Sequence, residues 1–162
     1  GSAGFTGGTP RAMTVKRIIY PPMWLVFGVV GIFALNEFAP GLRYTGLPSQ
    51  LAGGAIMLAG LALLVVSGGL FTRAGTGLVP FRDVKVLVTH GLYAHTRNPM
   101  YLAMVLILVG VAITVGALSA LIVPPLFMAI IEWRYVRPEE AMLLELFGED
   151  YAAYCARVRR WI

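Results

Sequence analysis

The stretch Gly91-Leu92-Tyr93-Ala94-His95-Thr96-Arg97-Asn98-Pro99-Met100-Tyr101 stands directly ahead of a long uncharged run. Asn-Pro is a strong helix opening. Asn98 can cap the first turn, and the fixed φ of Pro99 suits the first helical position. Tyr93, His95 and Arg97 are therefore expected just outside the start of a membrane helix, at the water boundary. An arginine placed there is either an anchor or a ligand for something anionic.

The run behind this stretch decides the topology. Residues 99–131 carry no charge. As one helix they would reach about 50 Å, against a hydrocarbon core of about 30 Å. Two spans want about 40 residues, nearly available if 132–136 sits at the boundary. Residues 116–119 are the natural turn, and Pro124 and Pro125 are expected to kink the fourth helix. Charge settles the choice. With two crossings, every basic residue of the 13 except Arg43 faces one side. With one crossing, Arg134, Arg137, Arg157, Arg159 and Arg160 fall on the wrong side. The positive-inside rule favours two crossings, with both termini cytoplasmic.

Composition agrees with a membrane protein. The 162 residues are 58% hydrophobic and 13% charged, where soluble domains carry roughly 25% charge. Mean hydropathy is +0.77 and the pI about 9.7. With a net charge of +5, that basicity reads as membrane flanks rather than nucleic-acid binding. One cysteine excludes an internal disulfide and a multi-cysteine metal site, and His90 and His95 are badly spaced for a helical metal pair. No metal is expected. Phosphate-binding glycine loops are missing as well.

In chain order, residues 1–10 are read as disordered or a cloning remnant, and 11–162 as a single membrane domain. The expected fold is all-α, with spans at about 18–38, 51–71, 99–116 and 119–136. Pro21 and Pro22 are expected to start the first helix. Ala55 and Ala59 in the second would permit close packing. Residues 72–98 form an expected cytoplasmic loop with an interfacial portion at 84–88. In the tail, 137–162, Pro138 starts a helix that Gly148 ends, and a second starts near Asp150. There Tyr151, Tyr154, Val158 and Trp161 fall on one face, and such a helix can lie on the membrane surface.

Two polar clusters face the same side. One is Tyr93, His95, Arg97, Asn98 and Tyr101; the other is Glu139, Glu140, Tyr151 and Tyr154. Each member has a plain structural reading. Arg97 can bind a lipid phosphate, Asn98 can only cap, and the two glutamates suit a helix N-terminus. Glu132, ending an apolar helix, can pair with Arg134 or Arg137 or line a cavity. His90 and Cys155 read as bystanders.

The first stretch resembles the G-x-Y-x-x-x-R-[HN]-P-x-Y motif of the isoprenylcysteine carboxyl methyltransferase and phospholipid methyltransferase superfamily. The tail resembles its second motif, E-E-x-x-L-x-x-x-F-G-x-x-Y-x-x-Y-x-x-x-V-x-R. Here Glu139, Glu140, Leu143, Phe147, Gly148, Tyr151, Tyr154, Val158 and Arg160 keep every spacing. Thr76, Pro80 and Leu87 to Thr89 resemble the family lead-in. The resemblance runs from residue 72 to the end.

It implies methyl transfer from S-adenosyl-L-methionine, held between the loop before the third helix and the tail after the fourth. A small or lipid-like acceptor would enter from the bilayer. In that picture Arg97, with His95 or Asn98, holds the cofactor carboxylate or helps orient the acceptor. Glu139 and Glu140 hold its amino group or ribose hydroxyls, or orient the acceptor. Tyr93, Tyr101, Tyr151 and Tyr154 pack on the adenine or sulfonium. Arg97, Glu139 and Glu140 are the implied catalytic residues. Asn98 stands where prenylcysteine enzymes usually carry histidine, and their proline near Leu92 is absent. This form looks more like bacterial members, implying a bacterial inner membrane. A nicotinamide-dependent membrane reductase and a non-enzymatic four-helix scaffold are the competing readings.

Overall fold

A computed structural model describes residues 10–44, 46–73 and 87–162, with side chains over 21–44, 46–68 and 87–162. Thr76, Pro80, Arg82, Asp83 and Lys85, and with them about half of the expected cytoplasmic loop, lie outside the described residues. So do residues 1–9. The described chain is helical throughout: α1 (Pro10–Phe38), α2 (Leu47–Arg73), a 3-10 turn (Gly91–Ala94), α3 (Pro99–Val115), a second 3-10 turn (Leu118–Ile122) and α4 (Val123–Ile131). A π-helical turn (Glu132–Val136), α5 (Arg137–Phe147) and α6 (Glu149–Arg157) complete it.

Both proline pairs depart from expectation. Pro21 and Pro22 lie inside α1 rather than at its start, a placement that membrane helices tolerate when neighbouring groups re-satisfy the freed carbonyls. Pro124 lies in the first turn of α4 and initiates it rather than kinking it. The first N–H groups of a helix have no intrahelical partner, so proline loses nothing there. Gly116 ends α3 in the left-handed region, at φ 78°, where a residue without Cβ is unstrained. Gly148, at φ 53°, divides α5 from α6.

Three helical stretches are long and apolar enough to cross a membrane: Pro21–Phe38, Leu47–Gly68 and Leu118–Phe147. The third runs on past the expected end at 136. The α3 helix is apolar but has 17 residues, about 26 Å. The expectation of four spans is therefore met at full length by three.

The ends of the helices are tied in two places. At one, Arg43 and Ala117 form an antiparallel bridge. Tyr44 N donates to Gly116 O at 2.9 Å and Leu118 N to Leu42 O at 2.9 Å. The α1–α2 link and the α3–α4 turn thus share one end. At the other, Arg97 N donates to Arg159 O at 3.0 Å. The chain beyond Pro99 doubles back, as the charge pattern requires. Ile32, Leu108, Ile131 and Val136 are fully buried between the helices, while Phe27, Val30, Leu58 and Val65 stay exposed, the outward apolar surface of an integral membrane protein.

The tightest contact joins α2 to α3. A Cβ on Gly110 would stand 2.7 Å from Gly53 O and Met57 N, and one on Gly60 would meet Ala103 O at 3.0 Å. Backbones approach this closely only where side chains are missing. Ala55 and Ala59, expected to mediate such packing, are exposed instead, because Gly53 and Gly60, two residues and one residue away, point to a different face of the helix and that face meets α3. Gly110→Val should therefore lower the unfolding midpoint in detergent, costing about 1–3 kcal/mol or more. Gly54→Ala, on α2 with nothing within 4 Å of the added carbon, should stay within about 0.5 kcal/mol.

Candidate active site

The site is assembled from the turn ahead of α3, the start of α5, and the tail after α6. Local sequence supplies the turn. Gly91 at φ 63° opens the 3-10 turn, and Thr96 Oγ1 accepts from Asn98 N at 3.2 Å, a local bond of the kind threonine favours beside a helix start. Asn98 makes no side-chain cap. Its amide donates instead to Arg160 O at 2.9 Å, and Thr96 Oγ1 donates to the same carbonyl at 3.4 Å. The tail main chain is thereby laid along the residues that precede α3.

Arg97 and Glu140 meet at the centre. Arg97 Nη1 lies 3.0 Å from Glu140 Oε2, with side-chain exposures of 13% and 17%. Glu140 Oε1 also accepts from Arg160 Nε at 2.7 Å. At this burial, two charge-assisted partners offset the cost of keeping the carboxylate out of bulk water. The Arg160 guanidinium is held above its ordinary value, chiefly by its hydrogen bond to Glu140. Arg97 Nη1 further donates to Cys155 Sγ at 2.9 Å, so the cysteine read as a bystander belongs to the cluster. Arg97 Nε is buried and lacks a hydrogen-bond partner among the described residues.

Beneath lies a tyrosine layer. Tyr93, Tyr151, Tyr154, Val88 and Val158 pack as one buried group. Tyr154 Oη donates to Tyr93 O at 2.6 Å, and the Tyr151 and Tyr154 rings stand 6.2 Å apart at 50°. Burial raises all three phenols well above the ordinary tyrosine range, Tyr154 to about 12. Not every expected site residue joins them. Tyr101 is buried in the helical core with Ile32, Leu108 and Tyr135. His95 is exposed on the same turn as Tyr93. Trp161, expected on the Tyr151–Tyr154 face, lies past the end of α6 and packs against the helical core instead.

Glu132 is the other participant that the motifs do not contain. Its carboxylate accepts from Arg160 Nη1 at 3.2 Å, from Trp161 Nε1 at 3.1 Å and from Arg137 Nη2 at 3.4 Å. Of these partners, local spacing offers Arg137 alone. Arg160 and Trp161 lie far along the chain, and no periodicity announces them.

The Tyr154–Tyr93 bond ties α6 to the turn before α3. Tyr154→Phe leaves a buried carbonyl without its donor, so the thermal midpoint should fall by an amount equivalent to about 1–3 kcal/mol. Because the folded value of Tyr154 is raised, its contribution is complete below the ordinary value of 10.0. It is lost as pH climbs from there toward about 12. Melting curves across that window should converge for the wild type and Tyr154→Phe.

No curated protein and no solved structure matches the chain. A family model described as phospholipid methyltransferase matches residues 48–150. That span holds α3, Arg97, Glu132, Glu139 and Glu140, and stops just short of Tyr151. With the greater part of its 162 residues covered, and with the matched segment folded into the hairpin that brings Arg97 onto Glu140, the chain belongs to the phospholipid methyltransferase family.

Proposed function

We propose that this protein transfers a methyl group from S-adenosyl-L-methionine to a small or lipid-like acceptor that enters from the bilayer. The observation that carries this is the half-buried Arg97–Glu140 pair at 3.0 Å, which closes the loop before α3 onto the start of α5. The donor set fits the cofactor. Arg97 has a buried Nε not engaged by any described group, suited to a carboxylate. Glu139, the neighbour of Glu140, suits an ammonium or ribose hydroxyls. Tyr93, Tyr151 and Tyr154 stay neutral at physiological pH and present aromatic faces to an adenine or a cation. When bound, the cofactor supplies a sulfonium methyl group whose positive charge is lost in an in-line displacement. The chain's own work is to hold the two reactants in line and to exclude water.

Roles divide by what each side chain already holds. Glu140 aims Arg97. Asn98 clamps the tail. His95 is exposed beside Tyr93, and Tyr101 supports the hairpin from within. An amine acceptor needs a base. Glu132, Glu139, Glu140 and His95 are the candidates. With Asn98 at the position where prenylcysteine enzymes carry histidine, a phospholipid or other small amphiphile is the favoured acceptor class.

The topology that serves this chemistry has four crossings in a bacterial inner membrane, with residues 11–162 working as one unit and both termini cytoplasmic. The short α3 crosses by thinning the bilayer locally, at a modest cost. The cofactor is cytosolic, and this arrangement puts Arg97 and the paired glutamates on its side.

Calorimetry in detergent should show S-adenosylhomocysteine binding to the wild type. Arg97→Ala and Glu140→Ala should each weaken it by about 10- to 100-fold while the protein stays folded. Undiminished affinity in both would refute the assignment, and NADPH binding in place of S-adenosylhomocysteine would turn it to a reductase. Binding of neither ligand would leave a scaffold. Topology has its own measurement. In a Cys155→Ala background, cysteines placed at His95 and at Leu118 should react with an impermeant thiol reagent from opposite faces of the membrane, and one placed at Ile162 from the same face as His95. Reaction at position 162 from the face of Leu118 would remove the last crossing.

A further inference from the structure

Glu132 lies outside both sequence motifs, yet it stands at the outer end of an unbroken line of ionised groups. Arg160 Nη1 donates to Glu132 Oε1 at 3.2 Å, and Arg160 Nε to Glu140 Oε1 at 2.7 Å. Glu140 Oε2 accepts from Arg97 Nη1 at 3.0 Å, and Arg97 Nη1 reaches Cys155 Sγ at 2.9 Å. Trp161 Nε1 and Arg137 Nη2 hold the Glu132 carboxylate from the far side.

The π turn makes this line possible. Glu132 and Glu140 are eight residues apart. Eight α-helical steps would leave their side chains about 80° apart around the axis. The π turn, marked by the Arg137 N–H bonding to Glu132 O, inserts one residue. That brings the two carboxylates within about 20° of one direction. Both then face the same guanidinium.

We propose that Glu132 and Arg160 are positioning residues that set, through Glu140, where the Arg97 guanidinium lies. A glutamate carboxylate turns in a broad torsional well. Arg160 grips both Glu140 oxygens, Nε donating to Oε1 at 2.7 Å and Nη2 to Oε2 at 3.3 Å, which fixes the carboxylate plane with Oε2 directed at Arg97 as well. Arg160 is itself about one-third exposed along its side chain, and Glu132 keeps it from swinging into water. Side chains that touch a ligand are accurate only when a supporting layer fixes them. That Arg97 touches a cofactor rests on the methyl-transfer reading above; where Arg97 lies does not.

Cys155, the one cysteine of the chain, is a built-in reporter, because Arg97 covers its sulfur. The full-length protein in detergent is labelled with a small maleimide. Glu132→Gln and Arg160→Gln should each speed labelling of Cys155 by at least about twofold, although neither parent residue touches the thiol. Arg134→Gln, an exposed arginine off the line, should label as the wild type does. In an Arg97→Ala background, Glu132→Gln should add nothing, whereas general loosening of the fold would persist. Should Glu132→Gln fail to fold, Trp161→Phe removes one donor to the same carboxylate and should shift the rate in the same direction. An unchanged rate in Glu132→Gln, or an effect that survives in Arg97→Ala, overturns the proposal.

S-adenosylhomocysteine affinity on the same samples separates this inference from the reading it extends. Positioning requires both substitutions to weaken binding. Mere local charge would make Glu132→Gln bind tighter and Arg160→Gln weaker, and that outcome also overturns it. A wild type that binds no S-adenosylhomocysteine but shows the labelling pattern refutes methyl transfer alone. Normal binding with uniform labelling refutes the positioning line alone.

Discussion

A half-buried carboxylate held between two guanidinium groups is the constraint on which this structure turns. Glu140 accepts from Arg97, which precedes α3, and from Arg160, which follows α6. Neither contact is local. The first exists only if the apolar chain beyond Pro99 goes out and comes back, and the second only if the chain after α6 returns to the start of α5. The converse also holds. Removing one member of such a cluster strands a charge in surroundings that solvate it poorly. The hairpin and the cluster therefore depend on each other, and the family's two motifs read as the two halves of one electrostatic object.

The helices provide a frame with little give. At the α2–α3 contact, Gly53, Gly60 and Gly110 let backbone pack on backbone. In lipid, where apolar surface gains little by leaving its surroundings, such close packing is a main source of helix association. α3 is thus held by α2 on one side and by the core of Ile32, Leu108 and Ile131 on the other. Its N-terminal end, bearing Arg97 and Asn98, inherits that rigidity. Precise sites built on helix ends need this support, because a misplacement of about 1 Å is costly to catalysis.

The tail is more than an appendage lying on the membrane. The family match ends at residue 150, yet Tyr151, Tyr154, Cys155, Arg160 and Trp161 all make defined contacts beyond it. Tyr154 bonds the turn before α3, the carbonyls of Arg159 and Arg160 bond Arg97 and Asn98, and Trp161 bonds Glu132. The last residues close the site from a third direction.

Much of this was legible in the residue order. Composition and the length of uncharged runs determine a helical membrane protein, because lipid admits no unsatisfied backbone and a span has a fixed length. Charge asymmetry determined that the run after Pro99 reverses, and two motifs in order, one around Arg97 and one from Glu139 to Arg160, identified the family. Tertiary structure alone decided the rest. Arg160 and Trp161 reach Glu132 across 28 and 29 residues, and such separations leave no periodic trace. The π turn that aligns Glu132 with Glu140 is an irregularity of one residue, invisible to a pattern that assumes 3.6 per turn. Ala55 and Ala59 looked as suitable for close packing as Gly53 and Gly60. Which small residues face a neighbour depends on how the helices are rotated, and rotation is set by the assembled core, not by any single helix.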